Sequence, residues 1–193
     1  MGTNIKYFSA ACLCMICVNM FAQWTKSMYS QYTYQNYTDY TPFTQAIDAN
    51  KLDAELLESA IFYETNRQRA KYGLQQLSFD HALCVCAHNH SVDMVEHNFF
   101  SHKSPVAGKT AMKDRLSQVG YVNCLCAENI AYCAVKSSYA ETARHLVEDV
   151  WMNSEGHRRN ILNGNYTHLG CGAAFYYEGH WLMVKTTQNF LRK

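Results

Sequence analysis

Trp151-Met152-Asn153-Ser154-Glu155-Gly156-His157-Arg158-Arg159-Asn160-Ile161-Leu162-Asn163 is the stretch on which the reading of this chain turns. It gains its meaning from two others. Phe99-Phe100-Ser101-His102-Lys103-Ser104-Pro105 lies upstream, and Ala127-Glu128-Asn129-Ile130-Ala131 lies between. Two histidines and a glutamate, each inside a distinctive segment, are the raw material of a metal or acid/base site. Imidazole nitrogens ligate zinc, copper and nickel near neutral pH. His102 and His157 as metal ligands, with Glu128 beside them and one position open, would make a catalytic-type Zn2+ shell. Alternatively, Glu128 stays off the metal and orients one imidazole or serves as general base. A third reading has no ion at all, the histidines and carboxylate forming a hydrogen-bonded polar cluster that closes the cleft floor.

Outward from that stretch the elements fall into order. Ser138-Tyr139-Ala140-Glu141 is a capping box. It opens a helix in which Ala140, Ala143, Val147, Val150 and Trp151 recur at three- and four-residue steps. Further upstream, Leu56, Leu57, Ala60, Ile61 and Glu64 share helical spacing, and Gly73 stops that helix after Tyr72. Asp80 can N-cap a second helix to about His97, with Leu83, Ala87 and Met94 as its apolar stripe. A short helix is predicted over 110–119, ending at Gly120. Beyond Asn163 the character changes. The segments 169–177 and 180–190 are aromatic and β-branched, with Glu178-Gly179 between them as a hairpin turn. Helices first and strands later predict an α+β chain.

The 193 residues suit one domain, and an apolar content of 48% supports a sizeable core. Seventeen basic and sixteen acidic residues give a net charge of +1. That balance offers no electrostatic basis for binding nucleic acid or an acidic membrane surface. Residues 1–22 read as an export signal: Lys6 supplies the basic region, and residues 8–21 are mostly apolar but short for a bilayer span. Cleavage is expected after Ala22. An uncleaved anchor, or a lipoprotein site at Ser9-Ala10-Ala11-Cys12, are the alternatives. The expected mature chain is soluble, secreted or extracellular (periplasmic in a Gram-negative bacterium), with no transmembrane segment. Cys12, Cys14 and Cys17 would leave with the signal. Cys84, Cys86, Cys124, Cys126, Cys133 and Cys171 would remain. An even number in an exported chain reads as disulfides, with 15 pairings open. The two Cys-x-Cys pairs are narrower than usual zinc spacing. Residues 23–50 form a Tyr/Thr-rich stretch with no aliphatic residue between Trp24 and Ala46, read as an extended arm or linker, or else as an aromatic surface for glycan.

Together the three quoted segments, in their order, resemble the CAP superfamily, also called the SCP-like or cysteine-rich secretory/pathogenesis-related-1 family, in its short bacterial-type form. The resemblance covers roughly residues 56–190. It implies a central antiparallel sheet sandwiched between helical layers, with the CAP domain over residues 51–193. It also implies a cleft lined by two histidines and two acids. Matched segment by segment, these are His102, Glu128 and His157. Where eukaryotic members carry the fourth acid this chain has Ser154, and Glu155 follows one residue later. Gln188 matches a strand position that faces the cleft. Asn66 and Arg69 match helix residues that pin helix to sheet, and Arg158 and Asn160 are expected to do the same near the tetrad. CAP relatives are associated with sterol or lipid binding and with host or cell-surface interaction.

Two functions from different classes follow. One is a secreted binding module whose cleft holds a small lipid-, sterol- or glycan-like ligand or a divalent ion, or meets an extracellular surface partner. The other is a metal-assisted hydrolase of peptide or cell-wall material using His102, His157 and Glu128. No nucleophile motif supports the second. Ser101 and Ser154 adjoin histidines in sequence, where side chains diverge rather than meet. His81, His88, His90 and His97 share one helical region and are read as solvated.

Overall fold

The computed structural model describes residues 24–193. The export signal and Cys12, Cys14 and Cys17 lie outside the described residues.

Helix α1 (Ala54–Lys71) begins where the Asp53 carboxylate accepts the Leu56 amide. Helix α2 (His81–Glu96) begins in the same way, Asp80 accepting the Leu83 amide at 2.9 Å. Such caps satisfy donors that the first helical turn leaves open. Between the two lies the two-residue strand β1 (Ser78–Phe79). Helix α3 (Met112–Gln118) follows, then strand β2 (Cys126–Ala134). Helix α4 (Tyr139–Arg144) starts at Ser138, whose hydroxyl accepts the Glu141 amide. The periodicity predicts one uniform α-helix to Trp151, whereas the structure widens His145–Trp151 into a π-helical stretch. Helix α5 (Glu155–Ile161) completes the deciding stretch. Strands β3 (His168–Glu178) and β4 (Trp181–Leu191) close the chain as a hairpin whose turn uses Gly179 at φ +61°.

The sheet order is β1-β3-β4-β2. It is antiparallel except for β1, which pairs parallel with the start of β3. Strand β2 was not anticipated, and its burial explains why. Glu128 and Asn129 are both buried, one on each face, so the polar/apolar alternation that marks a half-exposed strand is missing.

Helices α2 and α3 cover one face of the sheet, and α1, α4 and α5 the other. This is the expected α-β-α sandwich. The strand pleat assigns residues to the two layers. Gly170, Gly172, Lys185, Thr187, Asn189 and Glu128 face α2; Cys171, Gln188, Asn129 and Ala131 face α1. Ser91 meets Thr187 across the first layer at 2.9 Å, and Gln188 donates to Thr65 of α1 across the second at 2.6 Å. Asn66 and Arg69 pin α1 as expected, though to loops: Asn66 exchanges two bonds with the backbone of Leu77, and Arg69 donates to the carbonyls of Gln75, Ile161 and Asn163.

Two expectations are corrected. The tyrosine-rich segment is no extended linker. It folds into short 3-10 turns (Lys26–Ser30, Tyr37–Asp39, Thr41–Phe43) that bury Trp24, Tyr37 and Phe43 against α1. Rings supply the burial that aliphatics would otherwise give: Tyr37 stacks on Tyr63, and Tyr29 on Phe79 at 3.8 Å between centroids. The second correction concerns disulfides, because Cys84, Cys86, Cys124, Cys126, Cys133 and Cys171 are all free thiols. The strands hold some of them apart. Cys133 stands opposite Val184 and Cys171 opposite Gln188, four positions apart along β4. At about 3.3 Å per residue that offset alone exceeds the roughly 7 Å that a disulfide can bridge. Burial pushes the Cys86 thiol up to about 12 and Cys133 to about 11, so both stay protonated at neutral pH.

Candidate functional site

Glu128 is the centre of the site. It lies on edge strand β2, facing α2, with its side chain almost wholly buried. Its Oε1 meets His102 Nδ1 at 2.9 Å, and its Oε2 accepts Arg115 Nη2 at 2.6 Å. An ionised carboxylate can only accept, so the His102 proton sits on Nδ1 and its Nε2 is left free toward solvent. Burial raises the Glu128 acid, but the His102 bond and the Arg115 charge outweigh it and hold the group below its ordinary value.

The loop that carries His102 is tied down at several points. Arg115, on α3, also donates to the carbonyls of His102 and Lys109. Lys185 of β4 donates to Met94 and Phe99 carbonyls, and Lys109 pairs with Asp93 at 2.9 Å. One guanidinium therefore neutralises the central carboxylate and fixes the backbone of the histidine that carboxylate orients.

His157 arrives from the other side. Free edges of sheets need covering, and the deciding stretch covers that of β2. Trp151 Nε1 donates to the Ile130 carbonyl, and Asn160 donates to Glu128 O and Asn129 Oδ1. Asn129 in turn donates to the His157 carbonyl at 3.2 Å. Helix α5 is thereby held across the strand edge, and His157 stands close enough to His102 to feel its charge. Burial first, and then His102, lower the His157 pKa. Its buried Nδ1 has no hydrogen-bond partner among the described residues.

Two expected members are placed elsewhere. Glu155 is 78% exposed and, among the described residues, pairs with Arg159 one turn along α5. It opens a helix whose residue four positions on is an arginine, and it points to solvent rather than inward. Gln188 is buried on the α1 face, bonded to Thr65 and Asn129, because one position along a strand changes the face. Neither joins His102, Glu128 and His157.

His90 and Arg115 belong to the cluster and were not anticipated. His90, expected to be solvated, is fully buried, its Nε2 donating to the Ser101 carbonyl and lying 3.9 Å from Glu128. The available signal was spacing: His90 falls three residues after Ala87 and four before Met94, on the apolar stripe. Burial pulls His90 down to about 4 from an ordinary 6.5. Between those values the unfolded chain binds a proton that the folded chain refuses, so His90 makes stability fall as pH drops from 6.5 to 4. His90→Gln removes that contribution. Urea titrations at pH 7 and pH 4 are expected to show the wild type losing roughly 3 kcal/mol more than the variant, since each tenfold difference in proton affinity between the two states is worth about 1.4 kcal/mol.

The donor set fits zinc poorly. Catalytic zinc takes three protein ligands, and among the described residues no group of three His, Cys, Asp or Glu side chains stands where it could hold an ion. Glu128 is engaged by Arg115 and His102, which leaves two imidazoles. Nearby, the partly exposed rings of Phe100 and Tyr132 meet edge to face at 4.9 Å, and Tyr132 projects on the same face of β2 as Glu128.

A sheet between helical layers, with a Glu-centred histidine cluster beside strand β2, is the architecture of a CAP-type domain. Residues 62–187 match the cysteine-rich secretory protein (CAP) family, and the chain belongs to it. It is similar to the uncharacterized membrane protein YlbC of Bacillus subtilis strain 168, 42% identical over 137 residues, covering 70% of this chain and 34% of YlbC. The uncharacterized protein YkwD of the same strain is 39% identical over 115 residues, 60% of this chain and 41% of YkwD. The chain thus spans well under half of these relatives. Among solved structures, an extracellular SCP-domain protein of Bacillus anthracis is 34% identical with a TM-score of 0.60, over 78% of this chain and 45% of that one. An outer surface protein of Borrelia burgdorferi shares the fold at 17% identity and a TM-score of 0.58, over 74% and 97% of the two chains. Among the described residues no helix is long and apolar enough to cross a membrane.

Proposed function

We propose that this is an exported CAP-domain binding protein. Its cleft of His102, Glu128 and His157 takes a small amphipathic ligand, lipid-, sterol- or glycan-like, without turning it over. The observation that carries this reading is the state of Glu128. Both carboxylate oxygens are committed, one to His102 and one to Arg115, so the residue is neither a free general base nor an open metal ligand. What remains available is hydrogen bonding from two imidazoles, with the Phe100 and Tyr132 rings nearby, which suits a ligand with one polar end.

The hydrolase reading keeps one favourable feature. A carboxylate that accepts from Nδ1 and leaves Nε2 free is the usual support for a metal-bound histidine. Among the described residues no third ligand stands beside the two imidazoles.

The test titrates purified protein with palmitate, cholesterol and chitotriose, and separately with zinc chloride. At least one organic probe is expected to bind, with a loss of about tenfold or more in the His102→Ala/His157→Ala double variant. Stoichiometric zinc uptake lost in that variant, together with peptide or cell-wall hydrolysis abolished by His157→Ala, would replace the binding reading with the hydrolase.

A further inference from the structure

Just past the C-cap of α5, Leu162, the chain runs Asn163-Gly164-Asn165. Asn163 is the one asparagine in the 193 residues that precedes a glycine. An asparagine carboxamide and the amide nitrogen of the next residue are close enough along the chain to close a succinimide ring. A β-carbon on that next residue crowds the approach, and glycine has none. Gly164 and Asn165 are exposed, so water and base reach the link.

The fold prepares both reacting groups. The Asn165 amide donates to Asn163 Oδ1 at 2.9 Å. A side chain bonded to the residue two ahead lies over the peptide link between them, on the side of the Gly164 nitrogen. The same N–H points at the oxygen that gains negative charge when Cγ is attacked, at the spacing of an oxyanion-hole donor. On the nucleophile's side, the Gly164 amide donates no hydrogen bond among the described residues, so none is broken when it reacts. Once deprotonated, that nitrogen shares its charge with the Asn163 carbonyl oxygen, and this oxygen accepts Arg69 Nη1 at 2.9 Å. Arg69 is 1% exposed and bonded to the carbonyls of Gln75, Ile161 and Asn163, with no carboxylate paired with it among the described residues. A buried cation without a counter-charge attracts a developing anion more strongly than a solvated one does.

Asn153-Ser154 supplies the contrast. Asn153 is exposed, but the Ser154 amide is committed to the Trp151 carbonyl and Asn153 Nδ2 to the Asp149 carbonyl. We infer that Asn163-Gly164 is a self-modifying link, which the fold converts to aspartyl and isoaspartyl forms. Base takes the Gly164 amide proton, the nitrogen bonds to Asn163 Cγ, and the Cγ–Nδ2 bond breaks. The departing nitrogen takes a proton from water and leaves as ammonia. Water then opens the succinimide. Opening at Cγ gives aspartate. Opening at the former main-chain carbonyl gives isoaspartate and turns the oxygen that Arg69 already holds into part of a carboxylate, which supplies the missing counter-charge.

The test incubates the full protein at mildly alkaline pH, folded in buffer and, in parallel, unfolded in guanidinium chloride. Peptide mass spectrometry reads the exchange of the carboxamide NH2 for OH at Asn163, and isoaspartyl methyltransferase labelling reads the isoaspartate. Conversion in the folded protein is expected to run about tenfold or more faster than in the unfolded chain, a part of what one well-placed oxyanion donor contributes. Asn153 is expected to stay unconverted in the folded protein over the same time. Nothing lies within 4 Å of a Cβ added at Gly164, so Gly164→Ala is expected to fold and to lose most of the conversion at Asn163. Conversion in the folded protein that is equal to or slower than in the unfolded chain overturns the inference. So does conversion that Gly164→Ala leaves intact.

Discussion

Gly172→Ala is expected to prevent stable folding. A Cβ at Gly172 would stand 2.1 Å from the Ala87 carbonyl carbon and 2.2 Å from the His88 amide nitrogen. Those atoms are the backbone of α2, not the end of a side chain that can swing away. Overpacking a core commonly costs about 1–3 kcal/mol, because neighbours shift to make room. Here the whole helix would have to lift off the hairpin, and α2 carries both His88 and His90. The expected loss is therefore above about 3 kcal/mol, set against a total stability of about 5–15 kcal/mol. Urea denaturation and soluble yield would read it. Gly156→Ala is the control: nothing lies within 4 Å of its added Cβ, and it sits inside α5. There alanine is expected to stabilise by up to about 1 kcal/mol. Equal effects at the two positions would mean that α2 does not rest on β3 as closely as described.

The close packing of α2 on β3 bears on what the sequence could reveal. Both helix starts were legible, because Asp80 and Ser138 cap by local rules that need nothing from the rest of the chain. The hairpin at Gly179 was legible for the same reason. Strand β2 was not, since a strand buried on both faces loses its alternation, and Tyr132 is its one exposed position. The segment 24–50 misled because its apolar surface lies in tyrosine rings that become a core only against α1. In the site, His102, Glu128 and His157 were readable from their segments. Arg115 was not, because its role depends on α3 landing opposite β2. Gln188 was assigned to the wrong face by a single strand position, a difference that registers only once pairing is known.

Arg115→Met is the other substitution with a large expected effect, and its pattern would separate the roles of Arg115. Arg115 and Glu128 are each about 3% exposed in their side chains. Removing one partner of such a pair leaves a buried uncompensated charge, at a cost of about 3–5 kcal/mol. Replacing both with apolar residues of similar size is often close to neutral, because the desolvation of two ions is avoided as well. The expected order of stability in urea is therefore wild type near Arg115→Met/Glu128→Leu, with Arg115→Met well below. Restoration will be incomplete to the extent that Arg115 also holds the backbone at His102 and Lys109 through its other amino group. In Arg115→Met the carboxylate loses the charge that keeps it ionised, and its pKa is expected to rise. Stability that the ionised form supplied then disappears at a higher pH than in the wild type, as pH falls. If the single and double variants were equally unstable, the ion pair would be incidental and the backbone clamp would be what holds the His102 loop over Glu128.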